Sequence, residues 1–484
     1  MKRLITLCII LTAIALVASP AFAEVQNVKV SGDIISAGVY RNNYDLYPAQ
    51  RNATGTTGSY DEDGQYSDNN NFLYTQARVR VDADLTDNVA ATIRYLTEYD
   101  WNTEDNTGSS SVTDGDNVDL DLANVTLKEA FYQPLTVIVG RQPLRYGNAF
   151  VVGDPDTNAT SKDTTTFTAV DLSIRKSFDA IRGILDYNPL TIDLFMAKID
   201  ETNAGLNCDE TLYGANAAYT FDNYNAEAEG YWFLNRDDIQ AAPVETSDTT
   251  SPGQVVHTIG ARGSMTPIDN LNILGEIAFQ RGDYDRHSTT KRDVSGQAWQ
   301  VAADYTIVDW NWAPVVRAGW THYSGEEQAN AGDFDGWIPL YEDQSHGVAA
   351  NFILSGINGG QNSNADILNI GATVETAEDL TLSVDWYNFW LDQNLVAGAN
   401  TLASSSNNGA LGWTNLTQGN YAMNANDELG YEVDVALDYD YTEDVKMGLS
   451  GSWFKPGKAL EGEYSTDRND ETALQVLATL DVAF

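Results

Sequence analysis

The sequence predicts an all-β protein, a transmembrane antiparallel β-barrel of about 18 strands with long extracellular loops. Three observations carry this expectation. The chain opens on an export signal. Strand-length runs of alternating apolar and polar residues are joined by connections that are short and long in turn. The final strand ends on an aromatic residue.

Lys2 and Arg3 precede an apolar run from Leu4 to Val17, and Pro20 leads into Ala21-Phe22-Ala23, a small-residue cleavage pattern. The expected division is a signal peptide over 1–23 and a mature barrel over 24–484. The apolar run is too short to cross about 30 Å of hydrocarbon, which argues against a retained anchor. Cys8 stands inside that run, so the mature chain keeps Cys208 alone, in the polar stretch Gly205-Leu-Asn-Cys-Asp-Glu210. One thiol makes no internal disulfide and no zinc site of the usual cysteine kind. It reads as a loop thiol. The export signal and barrel together place the protein in the outer membrane of a diderm bacterium.

The chain holds 27 basic residues against 70 acidic ones, a formal charge of −43. That balance excludes nucleic-acid binding. Acidic loops that keep a surface hydrated account for it, and cation binding or anion repulsion is the alternative. No Pro-rich or Ser-rich linker divides the chain, and past the signal no apolar run reaches 18 residues. A membrane passage is therefore a barrel.

The repeating unit is clearest at Leu73-Thr75-Ala77-Val79-Val81-Ala83-Leu85, whose opposite face carries Gln76, Arg78, Arg80, Asp82 and Asp84. One face is apolar for its full length and the other charged, which suits strands with lipid outside and a lumen inside. Short turn signals fall at Thr86–Asn88, Gln133-Pro134, Asn188-Pro189, Asp222-Asn223, Pro267–Asn270, Val308-Asp309, Ala377–Asp379 and Thr442–Asp444. Polar connections fall near 41–71, 102–117, 147–177, 200–211, 236–254, 282–294, 325–364, 392–427 and 456–471. Eight turns interleaved with nine loops give the strand count. The even number puts both termini on the periplasmic rim.

Counting back from Phe484, the residues Val482, Leu480, Ala478, Val476 and Leu474 share one face. A terminal aromatic on such a strand resembles the signal read by the barrel-assembly machinery. Aromatic residues also gather at the ends of the runs, among them Tyr95, Trp101, Trp232, Trp310, Trp312, Trp390, Tyr439, Tyr441 and Trp453, as interface girdles require.

The same alternation turns charges inward. Among basic residues these are Arg78, Arg80, Arg94, Arg182, Arg262 and Arg317, with Arg141 assigned to the same face although Pro143 and nearby glycines blur its register. Among acids they include Asp82, Asp84, Glu98, Asp193, Glu227, Glu229, Glu276, Asp304, Asp385, Glu432, Asp434 and Asp438. On the lipid face each Arg or Lys near the midplane would cost roughly 2–4 kcal/mol. Two readings stay open: a ladder of ion pairs that neutralises the wall, or a polar constriction that selects solutes by charge and size.

No catalytic constellation is present. His257, His287, His322 and His346 lie in unrelated segments, and there is no Gly-x-Ser-x-Gly elbow, His-Glu-x-x-His pair or phosphate loop. No enzyme, cofactor or metal is expected. Asp154-Pro-Asp156-Thr-Asn158, Asp61-Glu-Asp63-Gly64 and Asp114-Gly-Asp116 are weak calcium hints, and solvated acids explain them better.

Several segments together resemble the alginate-export family of outer-membrane porins. They are Val139-Gly-Arg-Gln-Pro-Leu-Arg-Tyr-Gly147, then Val151-Val-Gly-Asp154 and Ser177-Phe-Asp-Ala-Ile-Arg182, with Glu428-Leu-Gly-Tyr-Glu-Val-Asp434 and Trp453-Phe-Lys-Pro-Gly457 near the end. The resemblance implies a monomeric channel that lets a linear anionic polysaccharide leave the periplasm through an arginine-lined pore. Arg141 and Arg182 occupy the matching positions, with Asp179 beside the second. The expected surroundings are outer-membrane lipid and lipopolysaccharide, and the expected cargo is polysaccharide or small polar solutes. A general diffusion porin and an adhesive surface barrel are the alternatives. Weighting the wall over screened loop charge, the seven arginines are expected to form a positive patch at the narrowest point.

Overall fold

The structure, a computed structural model, describes residues 27–44, 46, 69–101, 118–155, 169–201, 209–237, 254–284, 292–326, 332–358, 362–393, 426–460 and 471–484. The expected signal peptide, Cys208, Asp156–Asn158 and the acidic stretches 61–64 and 114–116 lie outside them.

The strands are β1 (Asn27–Asn42), β2 (Asn69–Thr86), β3 (Val89–Asp100), β4 (Val118–Leu127), β5 (Leu135–Gln142), β6 (Phe178–Asp186), β7 (Leu190–Glu201), β8 (Asp209–Phe221), β9 (Ala226–Asp237) and β10 (Gln254–Ile268). They continue as β11 (Leu271–Tyr284), β12 (Arg292–Val294), β13 (Gln297–Thr306), β14 (Val315–Tyr323), β15 (Ala365–Ala377), β16 (Leu380–Trp390), β17 (Glu428–Thr442), β18 (Val445–Pro456) and β19 (Ala473–Ala483). Among the described residues there is one α-helix, α1, over Ala349–Asn358. No described helix is long and apolar enough to cross a membrane.

All nineteen strands form one sheet of antiparallel neighbours, and it closes because β1 pairs with both β2 and β19. Within the wall the three residues of β12 pair with the end of β11, whose remainder pairs with β13. Together β12 and β13 fill one place in the wall, so the barrel has eighteen. At one rim the connections take two to eight residues, and at the other seven to 41. These are called the turn rim and the loop rim. Where Val308-Asp309 is expected to turn, the chain makes an eight-residue excursion from 307 to 314. The Ile307 N–H closes it by donating to the Pro314 carbonyl at 2.9 Å.

Alternation sets the two faces. In β2, Val79 and Val81 stand exposed on the outer surface while Arg78 and Arg80 point in. Exposed apolar residues continue that outer band around the wall, as Ile181 on β6, Leu194 on β7, Ile259 on β10, Ile370 on β15 and Leu449 on β18 show. Aromatics flank the band. Tyr40, Trp101, Trp232, Trp320 and Trp453 lie toward the loop rim, and Tyr219, Phe221, Tyr305, Tyr439 and Tyr441 toward the turn rim. Rings with one apolar and one wet edge settle at such boundaries.

Closure leaves one tight place. Gly32 and Phe484 exchange backbone hydrogen bonds of 2.8 and 2.9 Å. A Cβ at Gly32 would lie 2.7 Å from the Phe484 ring and 2.5 Å from the Arg78 carbonyl oxygen, so only glycine fits.

The buried core lies inside the barrel, in the half nearer the loop rim. Inward residues there are apolar: Phe178, Phe195, Leu212, Phe233, Val256, Tyr323, Ile367, Phe389 and Phe454. Segments 143–155 and 332–348 fold in against them. The two pair with each other, since Gly153 N–H donates to the Tyr341 carbonyl at 2.6 Å, Tyr341 N–H to Val151 at 3.0 Å and Asp343 N–H to Ala149 at 2.9 Å. Tyr146 stacks on Phe195 with centroids 5.0 Å apart, and Phe150 lies between Tyr323 and Trp337 at 5.4 and 5.9 Å. The inserted segments pack on these wall residues as densely as in a soluble core.

Candidate pore wall and lumenal insert

Toward the turn rim the inward face turns polar, and its arginines meet carboxylates one by one. Asp33 on β1 stands directly opposite Arg78 on β2, and the Arg78 Nε–H reaches both of its oxygens at 2.9 and 3.0 Å. Arg80 lies opposite Arg94, two cations side by side. Each is braced separately. Arg80 donates to Asp82, two residues along its own strand, from Nε at 2.7 Å and Nη2 at 2.8 Å. Arg94 pairs with Asp121, which a bulge in β4 turns toward it. Arg182 on β6 donates to Asp193 on β7 from Nε at 3.0 and 2.9 Å, with its guanidinium 5.6 Å from the Tyr146 ring.

Arg262 is flanked by Glu229 and Glu276 across the ladder, but its contacts are loose, 3.5 Å to Glu227 and 3.9 Å to Glu229. Arg317 on β14 reaches over β15 to Asp385 on β16 at 3.4 Å. Gly371 makes this possible, because a Cβ there would lie 2.0 Å from the Asp385 carboxylate. Asp385 stands opposite Asp434, a pair of like charges, and one Asp434 oxygen is buried with no hydrogen-bond partner among the described residues.

The sequence expectation is corrected at Arg141 and Asp179. They face outward. Val139 and Ile181, two residues away on the same faces, belong to the exposed apolar band, whereas Gln142, Phe178 and Ala180 point in. Arg141 donates from Nε at 2.9 Å and Nη2 at 2.6 Å to Asp179, its direct neighbour across β5 and β6. The lipid-face penalty that argued for inward placement fades near the interfaces. This pair sits at the loop-rim ends of both strands, where charge is tolerated.

A second correction concerns the positive patch. Arg78, Arg80, Arg94, Arg182, Arg262 and Arg317 all point inward, yet each has a carboxylate within 4 Å. The wall is a mixed ladder, not a cluster of bare cations.

Glu276 and Glu432 also point inward, but neither presents a charge to the polar lumen. Both are buried under the insert and accept its backbone N–H groups. Glu276 accepts from Asn148 N at 2.9 Å, Tyr231 Oη at 2.8 Å and Gln300 Nε2 at 3.1 Å. Glu229 beside it accepts from Gly147 N at 2.7 Å and Asn216 Nδ2 at 2.6 Å. Glu432 meets the first turn of α1, accepting from Val348 N at 2.6 Å, Ala349 N at 2.8 Å and Ala350 N at 2.5 Å. These are the orphan donors every helix start presents. Gly147 and Gly347 have positive φ and come so close that a Cβ would strike Glu276 and Glu432.

Sequence reasoning missed three inner contributors. Arg41, taken for the start of a loop, ends β1 and is buried against Asp171 at 2.7 Å, with its guanidinium 4.5 Å from the Phe352 ring of α1. Asp343 on the insert lies between Lys176 and Arg145, the latter at 2.5 Å. Burial opposes its charge, but the two cations more than offset this and hold its carboxyl below the usual range. His346, also on the insert, has no partner for Nε2 among the described residues, and burial lowers its pKa to about 4. For Asp343 and His346 the one available signal is that segments 143–155 and 332–348 carry several aromatic and aliphatic residues, and nothing in the sequence marks Arg41.

Comparison with known proteins adds the family. A family model described as alginate export matches residues 48–473. No curated protein matches the chain. Among solved structures the chain is similar to OccAB1 of Acinetobacter baumannii, at 11% identity over 95% of this chain and 97% of that one, with a TM-score of 0.52. It is similar to OccK3 (OpdO) of Pseudomonas aeruginosa at 10% identity, covering 95% and 96%, with a TM-score of 0.52. It is also similar to Pseudomonas aeruginosa OccK2 (OpdF) in complex with glucuronate, at 10% identity, covering 95% and 99%, with a TM-score of 0.50.

Proposed function

The chain belongs to the alginate export family and is an outer-membrane β-barrel channel of a Gram-negative bacterium, open to polar solutes, and from that premise we propose that its cargo is saccharide bearing carboxylates. The observation that carries this reading is the braced arginine ladder. Arg78 and Arg80 are fixed through their carboxylates, yet their side chains stay 25% and 40% exposed to the lumen. A guanidinium held in place offers donors in a fixed fork to hydroxyls and carboxylates. The neighbouring Asp33 and Asp82 keep a polyanion from binding too tightly to leave, as conduction demands. The family's description and the glucuronate found with OccK2 support a sugar-acid cargo. In this reading the barrel is monomeric and sits in lipid and lipopolysaccharide, its turn rim periplasmic and its loop rim outside.

Planar-bilayer recording tests it. A uronate oligosaccharide is expected to block the current of the unaltered channel. Arg78→Gln and Arg80→Gln are each expected to weaken block by roughly 10–100-fold, the worth of one charge-assisted hydrogen bond of about 1.5–3 kcal/mol. Both should move the reversal potential toward cations. Arg141→Gln, on the outer face, should change neither. If uronates do not block, or block Arg78→Gln and Arg80→Gln as well as the unaltered channel, the ladder is structural and the cargo assignment fails.

A further inference from the structure

The histidines look unrelated in the sequence, but the barrel brings one of them to two carboxylates. His322 is the last outward residue of β14, and Asp366 is the first outward residue of β15, directly opposite it. Asp392 lies just past the end of β16. His322 Nδ1 is 3.1 Å from Asp366 Oδ1, and one donor atom from each of the three residues falls within 4.8 Å of the others. We propose that His322, Asp366 and Asp392 form a binding site for a divalent first-row transition ion of the zinc type, on the outer wall at the loop rim.

Four features support the site. A separation near 3.1 Å is what two ligands of one ion show, since zinc binds imidazole nitrogen and carboxylate oxygen at about 2.0–2.2 Å. Two carboxylates approach each other here, and neither has a Lys or Arg partner among the described residues. Only a neutral or protonated imidazole stands between them, so a divalent cation would relieve their repulsion.

The surroundings also orient the donors. Trp320 Nε1–H donates to Asp366 Oδ1 at 3.0 Å, and the backbone N–H of Gly325 donates to Asp392 Oδ2 at 2.8 Å. Outer hydrogen bonds of this kind fix carboxylate ligands in metal sites. Finally, Trp299 stacks on the His322 ring with centroids 5.5 Å apart, and Trp320 stacks on Trp390 at 5.9 Å. These rings keep the cluster half-buried.

The donor set decides the class of ion. One imidazole with two carboxylates suits zinc and its neighbours, whereas calcium and magnesium prefer all-oxygen cages. Three protein ligands leave an open position for water or an anion. The ion would tie together the ends of three strands where the connections 324–364 and 391–427 leave the wall. This is independent of the cargo assignment.

The test uses the full chain in detergent, stripped with chelator and titrated with zinc chloride by calorimetry. One saturable step of roughly one ion per chain is expected for the unaltered protein. His322→Ala and Asp366→Asn should weaken it at least tenfold. His257→Ala, an outward histidine stacked on Trp232, should not. Heat-modifiable migration reports that each variant is folded. If His322→Ala does not reach the folded band, Asp392→Asn, beyond the strand, takes its place. Equal binding by the unaltered chain and the folded variants, or no saturable step, overturns the site. Calcium binding tighter than zinc overturns the ion class.

Discussion

At Asp193 a carboxylate is 5% exposed, and among the described residues its charge is met by Arg182 on the neighbouring strand. Removing one partner strands the other, so Arg182→Ala should lower stability by about 3–5 kcal/mol, read as a fall in the urea midpoint of the refolded barrel. The double change with Asp193→Asn should recover most of that loss. If the double variant is no better than the single one, the cost lies in lost packing on Tyr146 and not in the charge. Gly371 poses the complementary case. Gly371→Ala should cost about 1–3 kcal/mol of overpacking and part Arg317 from Asp385. The reversal potential should then move, because a guanidinium freed from its carboxylate attracts anions. An unchanged potential would mean that the pair has no part in selectivity.

Among the elements, α1 and the two inserted segments are held by acceptors that the wall supplies. Glu432→Ala removes the acceptor of three backbone N–H groups and should loosen α1 without opening the barrel. We expect higher or noisier single-channel current with unchanged heat-modifiable migration, and intermediate behaviour for Glu432→Gln. Identical traces would show that apolar packing alone seats the helix. Acid should act on the same insert. His346 ordinarily titrates near 6.5 but is held to about 4 by burial, so the seated insert binds fewer protons than the withdrawn one between those values. Its stability is fully present above pH 6.5, declines as pH falls toward 4 and levels off below. Current recorded from pH 7 to pH 4 should become noisier over that window, and His346→Phe should flatten the response. The same response in His346→Phe would assign it to other groups.

These inserts also mark where the sequence stops being legible. Strand faces follow from a period of two, and the eight turns show in the sequence mainly as Asn, Asp and Pro signals, with Asn270 and Asp379 among the left-handed residues. The inward side of Arg78, Arg80, Arg94, Arg182, Arg262 and Arg317 followed from that period alone. The partners did not, because pairing depends on register across strands, as with Asp33 and Arg78, or on a bulge, as with Asp121. Arg141 was misplaced because an argument about midplane cost was applied at a strand end. The insert was invisible because a connection carries no periodicity, and its packing is set by wall residues far away in sequence.

For the whole molecule, closure and charge are separate matters. The net charge of −43 says little about the pore, since every inward arginine of the sequence reading is matched by an acid and the remaining acids are spread over wall and loops. The closed ladder is the more consequential property. Asp33 pairs with Ala483 just as Ile34 pairs with Ala77, so the seam between β1 and β19 is bonded like any other. Topologically the chain is a ring with a nick. Joining the ends by a short linker and cutting instead at Asp379, between β15 and β16, should give a circular permutant with the same eighteen wall strands, and Phe484 would then be an internal residue. Comparing its folding into vesicles with that of the parent would separate two roles now fused at one residue. Equal yields would make Phe484 only a packing partner of Gly32, and a permutant that folds in lipid but fails to reach the membrane in cells would make it an address.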